Sequence, residues 1–234
     1  MIGFATTAHD PAQMPRLPAL SGPARALVML LHGYGADGDD LIEIASAWRQ
    51  GAPAAFADIA FAAPHAPDPC GMGGGGREWF PLTFRDPHEM WRGVNAAAPA
   101  LDRVIDLELA RLNLPHDRLV LVGFSQGTMM ALHVGLRRQP GPAAILGYSG
   151  LLVGPTGQPP ESMAHEIRTR PPVFLIHGDA DEVVPPTALF MSTKGLAALD
   201  VPVQWHLGSG LAHGIDETGL EQGRDFVLAA LRHP

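Results

Sequence analysis

The chain has 234 residues and a formal net charge of −8, with only 16 Lys and Arg; neutralising phosphates takes clustered cations, so a nucleic-acid binder is excluded. At 46% hydrophobic and 17% charged residues it is neither a disordered nor a fibrous chain, and its one cysteine, Cys70, excludes an internal disulfide and a Cys/His zinc framework. The N-terminal stretch lacks a basic segment followed by an unbroken apolar run, and no apolar run approaches the ~20 residues of a membrane-spanning helix, so a cytoplasmic protein without stable membrane insertion is expected.

Apolar runs without alternation recur between loop signals, and such runs read as strands buried on both faces, as in a parallel sheet. In chain order they are Ala26 to Leu31, Ile59 to Ala63, Leu119 to Val122, Ala143 to Tyr148 and the run from Pro172 in "PVFLIHG"; a last strand is expected over Val203 to Leu207. Helical spacing fills the intervals. It runs from about Asp37 to Arg49, where "DGDD" places acids in the first turn and the helix dipole favours them. Further helices are expected over His88 to Leu112 with an interruption near Pro99, Ser125 to Arg138, Pro186 to Leu199 and Glu217 to Leu231.

Strand and helix thus alternate, which predicts a single α/β domain over residues 1–234, with a mostly parallel central sheet and helices on both faces. Residues 1–22 are its N-terminal extension. Residues 66–87, "APDPCGMGGGGREWFPLTFRDP", break the pattern. The four glycines Gly73 to Gly76 cannot pack a core and predict a long mobile loop, either a solvated linker or a functional lid.

"GFSQG", Gly123 to Gly127, matches G-x-S-x-G; with seven serines and 27 glycines in 234 residues, chance supplies ~0.1 such matches. A strand enters the motif and an apolar helix leaves it, the context in which a tight strand-to-helix turn exposes a serine above a sheet. A serine hydroxyl is protonated at neutral pH, so it needs a base and an acid to orient that base. "HGDADEVVP" offers Asp179 and Asp181 after a strand. "HLGSGLAHGI" runs through a glycine loop to His213, while the rival His206 lies within a strand. The order Ser, Asp, His fits this chemistry.

These segments resemble the carboxylesterase, lysophospholipase and acyl-protein thioesterase family of α/β-hydrolases. "LLHGYGADGDDL" is similar to its L-H-G-x-G motif, "GFSQGTMMAL" to its nucleophile motif, "HGDADEVVP" to its acid motif and "AHGI" to its histidine motif. The resemblance implies Ser125 as nucleophile, Asp181 rather than Asp179 as acid, His213 as base, and the backbone N–H groups of Tyr34 and Gln126 as oxyanion donors. It places Trp79 and Phe80 of "REWFPL" beside the acyl site, with core packing as the alternative for both. His32 and His177 lie in the same motifs and read as hydrogen-bonding supports.

The expected activity is hydrolysis of short to medium acyl carboxylic esters, the partner being a small-molecule ester, with no cofactor and no metal; thioesters of proteins and lysophospholipids are the alternatives the resemblance permits. Two rivals differ in kind. Gly33, Gly35 and Gly38 satisfy the dinucleotide fingerprint G-x-G-x-x-G after a strand, but Asp37, Asp39 and Asp40 crowd the helix start where a pyrophosphate must bind. An inactive hydrolase used as a binding module is the other. Oligomeric state is open, a homodimer covering Gly73 to Gly76 being one arrangement.

Overall fold

The structure, a computed structural model, describes residues 13–83 and 85–232. The first part of the extension expected over 1–22, and Phe84 in the glycine-rich segment, lie outside the described residues. The strands are β1 (Arg16–Leu17), β2 (Ala26–Leu31), β3 (Ile59–Ala62), β4 (Asp68–Pro69), β5 (Arg77–Glu78), β6 (Leu119–Phe124), β7 (Ala144–Tyr148), β8 (Val173–Gly178) and β9 (Val203–Gly208). Seven of them form a sheet in the order β1-β3-β2-β6-β7-β8-β9. All its pairings are parallel except β1 with β3.

Five helices flank this sheet among the described residues: α1 (Gly38–Gly51), α2 (Glu89–Leu112), α3 (Gln126–Gly135), α4 (Thr187–Ala198) and α5 (Glu217–Arg232). The central strands β2, β7 and β8 are buried at every position because both faces are covered. Leu27, Met29 and Leu31 of β2 share one core with α2, α3 and α4, whereas Ala26, Val28 and Leu30 share the other with α1 and α5. At ~25 cal/mol per Å² of apolar area, these two layers supply most of the driving force for the fold.

Two expectations are corrected. The helix expected to break near Pro99 is continuous from Glu89 to Leu112. Its buried stripe, with Val94 and Ala97 before the proline and Leu101, Ile105 and Leu109 after it, packs in one core. That burial outweighs the ~3 kcal/mol of an internal proline. The segment 66–87 is not one long featureless loop either, since β4 and β5 pair antiparallel within it. Strand β1 had no apolar run to announce it; its Arg16 guanidinium instead reaches the buried Glu108 carboxylate on α2 at 2.5 Å.

The registers bring strand ends together. Leu31 stands opposite Gly123, Phe124 opposite Tyr148, and Gly178 opposite Gly208. The loops that leave β2, β6, β8 and β9 therefore share the carboxyl edge of the sheet, where open α/β sheets carry their sites.

Candidate active site

Ser125 is the single residue between β6 and α3, and it adopts φ 52° and ψ −115°. A left-handed conformation of this kind in a non-glycine residue costs ~1–3 kcal/mol and persists only where neighbours enforce it. Here its N–H donates to the Tyr148 carbonyl at 2.8 Å, and its own carbonyl accepts from the Thr128 N–H at 3.0 Å. The flanking glycines are required sterically. A Cβ on Gly127 would overlap the Leu31 carbonyl, and one on Gly123 would overlap the Thr128 backbone nitrogen.

Asp181 and His213 meet from the loops after β8 and β9. His213 Nδ1 donates to Asp181 Oδ2 at 2.8 Å, and Asp181 Oδ1 accepts from the N–H groups of Val183 and Val184, each at 2.9 Å. Burial, the largest single influence, pushes the Asp181 carboxyl up, but the bonds from His213, Val184 and Val183 together hold it below its ordinary value. The His213 ring lies 5.0 Å, centroid to centroid, from the ring of Phe124, the residue before Ser125. Ser149 closes the loop from below, donating its hydroxyl to the Gly214 carbonyl at 3.3 Å.

The other candidates separate cleanly. Asp179 is turned to the β9 loop, accepting from the Gly210 N–H at 2.6 Å. His206 is inside β9, opposite Ile176. His177 donates from Nε2 to the Val184 carbonyl at 2.8 Å and also lies 3.3 Å from Asp181 Oδ2. His32 donates from Nδ1 to the Gly33 carbonyl at 2.7 Å and accepts at Nε2 from the Ala66 N–H at 2.9 Å. Burial lowers the pKa of His32, in keeping with the neutral tautomer those two bonds require.

The loop after β2 packs so closely against Ser125 that a Cβ on Gly33 would stand 3.3 Å from the serine Cβ. The Gly35 N–H donates to Arg77 O and the Ala36 N–H to Gly33 O. Among the described residues, the N–H groups of Tyr34 and Gln126 have no acceptor. For Gln126 this follows from its place as the first residue of α3, where backbone donors lack intrahelical partners.

Trp79 and Phe80 are both buried, and their backbones are bonded to the Gln126 side chain rather than left open to solvent. They also wall a cavity of about 500 Å³ between the glycine-rich segment and α2, in which Ala97 continues the apolar lining and Asp68, Asp86 and Glu89 carry negative charge. A cavity of about 570 Å³ opens at the opposite, amino edge of the sheet beside Ala26 and Ile59, away from Ser125.

The start of α1 is already occupied. The Asp37 carboxylate caps it, accepting from the N–H groups of Asp39 and Asp40, so the place a pyrophosphate would take in the dinucleotide reading holds a negative charge instead. Asp37, Asp39 and His65 have ligand atoms within 4.8 Å of one another. Asp37 is committed to the helix cap, and His65 Nδ1 accepts from the Gly38 N–H at 3.2 Å.

Sequence reasoning missed the Gln126 side chain and Ser149. Both act through backbone atoms of distant residues, and a sequence carries no signature of those.

Comparison with known proteins shows the family. The phospholipase/carboxylesterase family is matched over residues 13–231. The chain is 32% identical over 220 residues to acyl-protein thioesterase 1 of Schizosaccharomyces pombe, covering 89% of this chain and 92% of that one. It is 24% identical to the Escherichia coli esterase YpfH over 212 residues, covering 90% of this chain and 84% of that one. Among solved structures, esterase PE8 superposes with a TM-score of 0.85 at 41% identity, covering 93% of this chain and 98% of PE8.

Proposed function

The chain belongs to the phospholipase/carboxylesterase family of α/β-hydrolases, and on that premise we propose that it is a serine carboxylesterase acting on short to medium acyl esters through an acyl-enzyme. One observation carries the reading: Asp181 Oδ2 holds His213 Nδ1 at 2.8 Å, on the side of the sheet where Ser125 is kept at positive φ. His213 Nε2 is then left to take the Ser125 proton as Oγ attacks the acyl carbon. Asp181 keeps the imidazole in the Nδ1–H tautomer and stabilises its charged form. The tetrahedral oxyanion accepts from the Tyr34 and Gln126 N–H groups, an arrangement worth ~3 kcal/mol per donor.

Collapse of that intermediate expels the alcohol, which takes its proton from His213. Water then gives a proton to the same nitrogen, attacks the acyl carbon and releases the acid, returning Ser125 to its hydroxyl form. The cycle needs no cofactor.

Preference among acyl donors rests on the acidic lining beside Trp79 and Phe80. Asp86 there is paired with Arg92, but Asp68 adds negative charge, which repels an anionic phosphate headgroup and supports neutral soluble esters over lysophospholipids. Trp79 and Phe80 border the acyl site in this reading. The single cysteine supports a reducing, cytoplasmic setting. No helix among the described residues is long and apolar enough to cross a membrane.

The test is hydrolysis of p-nitrophenyl esters and of matched acyl thioesters across chain lengths, with a Ser125→Ala control. Serine-dependent turnover with an optimum at short or medium esters is expected. A preference for long-chain thioesters would make the protein a thioesterase, and folded protein with no turnover on either series would leave a binding module.

A further inference from the structure

The glycine-rich segment makes more bonds to the site than a lid or linker would. We infer that residues 66–80 form a brace for the oxyanion hole: one short stretch of chain is joined to both donor-bearing loops and fixes the distance between them, with the Gln126 side-chain amide as its positioning group. The inference rests on the assignment of Tyr34 and Gln126 as the donors.

The first joint adjoins Tyr34. The Gly35 N–H donates to the Arg77 carbonyl and the Arg77 N–H to the Ala36 carbonyl, each at 2.9 Å, so β5 extends its pairing onto the loop after β2. The second joint is at the other donor. The Gln126 side chain accepts from the Trp79 N–H at 2.9 Å and donates to the Phe80 carbonyl at 2.7 Å. The two joints are two to three residues apart along the chain, a span of at most ~3.5 Å per residue. Trp79 Nε1 adds a third tie, donating to the His32 carbonyl at 2.9 Å.

The far end of the brace is folded back and fastened. The Arg77 guanidinium donates to the carbonyls of Ala66 and Pro67. The Gly71 N–H donates to the buried Glu78 carboxylate at 2.9 Å, and the Tyr34 hydroxyl sits against Glu78 and Cys70. A buried amide side chain is costly unless both its ends are bonded. Gln126 is fully buried and places both ends on this segment's main chain, although an apolar side chain of the same size would fill the space without that constraint.

The four glycines divide accordingly. Gly73, Gly74 and Gly75 turn the chain at φ 78° to 84° with open space around them, whereas a Cβ on Gly76 would overlap the Gly35 carbonyl. Gly76 is the residue that lets the brace touch the oxyanion loop, and this yields a test with an internal control two residues away. Gly76→Ala and Gly74→Ala are compared for kcat/KM on a p-nitrophenyl ester. They are also compared for inhibition by an alkyl trifluoromethyl ketone, whose serine adduct carries the oxyanion.

Loss of an entire donor costs ~10²–10³ in rate. Displacing one through Gly76→Ala is expected to lower kcat/KM by about 10–100-fold, with the ketone weakened by a similar factor because it mimics the transition state. Gly74→Ala, strained at its positive φ but meeting no neighbouring atom, is expected to lose stability in urea unfolding and yet to stay within about twofold on both. Equal effects at the two glycines, or a Gly76→Ala loss that leaves the ketone affinity unchanged, would overturn the brace. If Gly76→Ala does not accumulate as folded protein, Arg77→Met, which removes only the fastening to Ala66 and Pro67, replaces it under the same criteria. A parent protein that the ketone does not inhibit would overturn the donor assignment itself, and the brace with it.

Discussion

The two sides of Ser125 are built differently. On the acid–base side, Asp181 and His213 arrive on short loops from adjacent strands, and Asp181 is held by the N–H groups of residues two and three places along its own loop. On the proposed oxyanion side, the Tyr34 and Gln126 N–H groups come from loops almost a hundred residues apart in sequence, and a third segment is bonded to both loops. A proton relay needs only one short hydrogen bond in the right direction, whereas an oxyanion hole needs two donors at a set separation. The second requirement calls for a scaffold from outside either loop.

The contrast is broken first by removing chemistry. Ser125→Ala, His213→Ala and Asp181→Asn are each expected to lower kcat by ~10⁴-fold or more. Because the three act as a unit, combining them should cost little beyond the worst single change, which steady-state kinetics on the purified variants reads directly. Additive losses would mean that they do not form one relay.

Gln126→Met tests the other side. The substitution keeps the main-chain donor and the approximate side-chain shape but orphans the Trp79 N–H and the Phe80 carbonyl, at ~1–3 kcal/mol each. Urea unfolding should show that loss of stability, and kcat/KM should fall by about 10–100-fold. A variant as stable and as active as the parent would show that the amide holds nothing in place.

This difference also decides what the sequence reveals. The turn at Ser125 and the pairing of Asp181 with His213 were legible because each candidate sits in a local pattern: a glycine-flanked turn after an apolar run, then loops after two later strands. The buried strands β2, β6, β7 and β8 were legible for the same reason, being apolar on both faces. What escaped was held by main-chain atoms. The β4–β5 pairing spans only four residues, three of them charged and one a proline, and the glycine run that signals disorder in a sequence is here a turn plus one tightly packed contact at Gly76. Pro99 misled in the opposite sense, because burial on both sides of it carries the helix through.

Acid should sharpen the contrast through His133, which sits on α3 behind Gln126, its ring 5.7 Å from that of Trp91. Burial, with a smaller contribution from Arg137, pushes His133 down to about 3 from 6.5. A base whose folded pKa is below its unfolded one makes the unfolded chain bind more protons between those values. Stability is therefore unaffected above about pH 6.5 and falls with pH down to about 3, by ~1.4 kcal/mol per unit for one proton. Asp181 behaves in a lower window. Its depressed folded pKa contributes stability above the ordinary carboxylate value of 3.8, and that contribution is lost as pH falls through the folded value. Urea midpoints from pH 7.5 to 4.5 should thus lose one proton's worth of slope in His133→Leu and none in Asp181→Asn. Identical slopes in the parent and His133→Leu would mean that His133 does not stay neutral on folding.

The smallest expected effect bears on the choice of acid. Asp179 and Asp181 are two residues apart in one loop and carry the same functional group, yet only Asp181 reaches His213, while Asp179 Oδ1 accepts from the Gly210 N–H. An asparagine oxygen can accept that bond too, so Asp179→Asn should leave kcat/KM within about twofold and stability within ~0.5 kcal/mol, the usual range for changes outside a site. Asp181→Asn is not equivalent even though its oxygen could still accept from His213. Its amide NH₂ would face the same ring nitrogen in half of its orientations, and in either orientation the charge that stabilises the imidazolium is gone. A large loss from Asp179→Asn would mean that the β9 loop, through Gly210, governs the position of His213, and the acid–base side would then depend on remote support as much as the oxyanion side does.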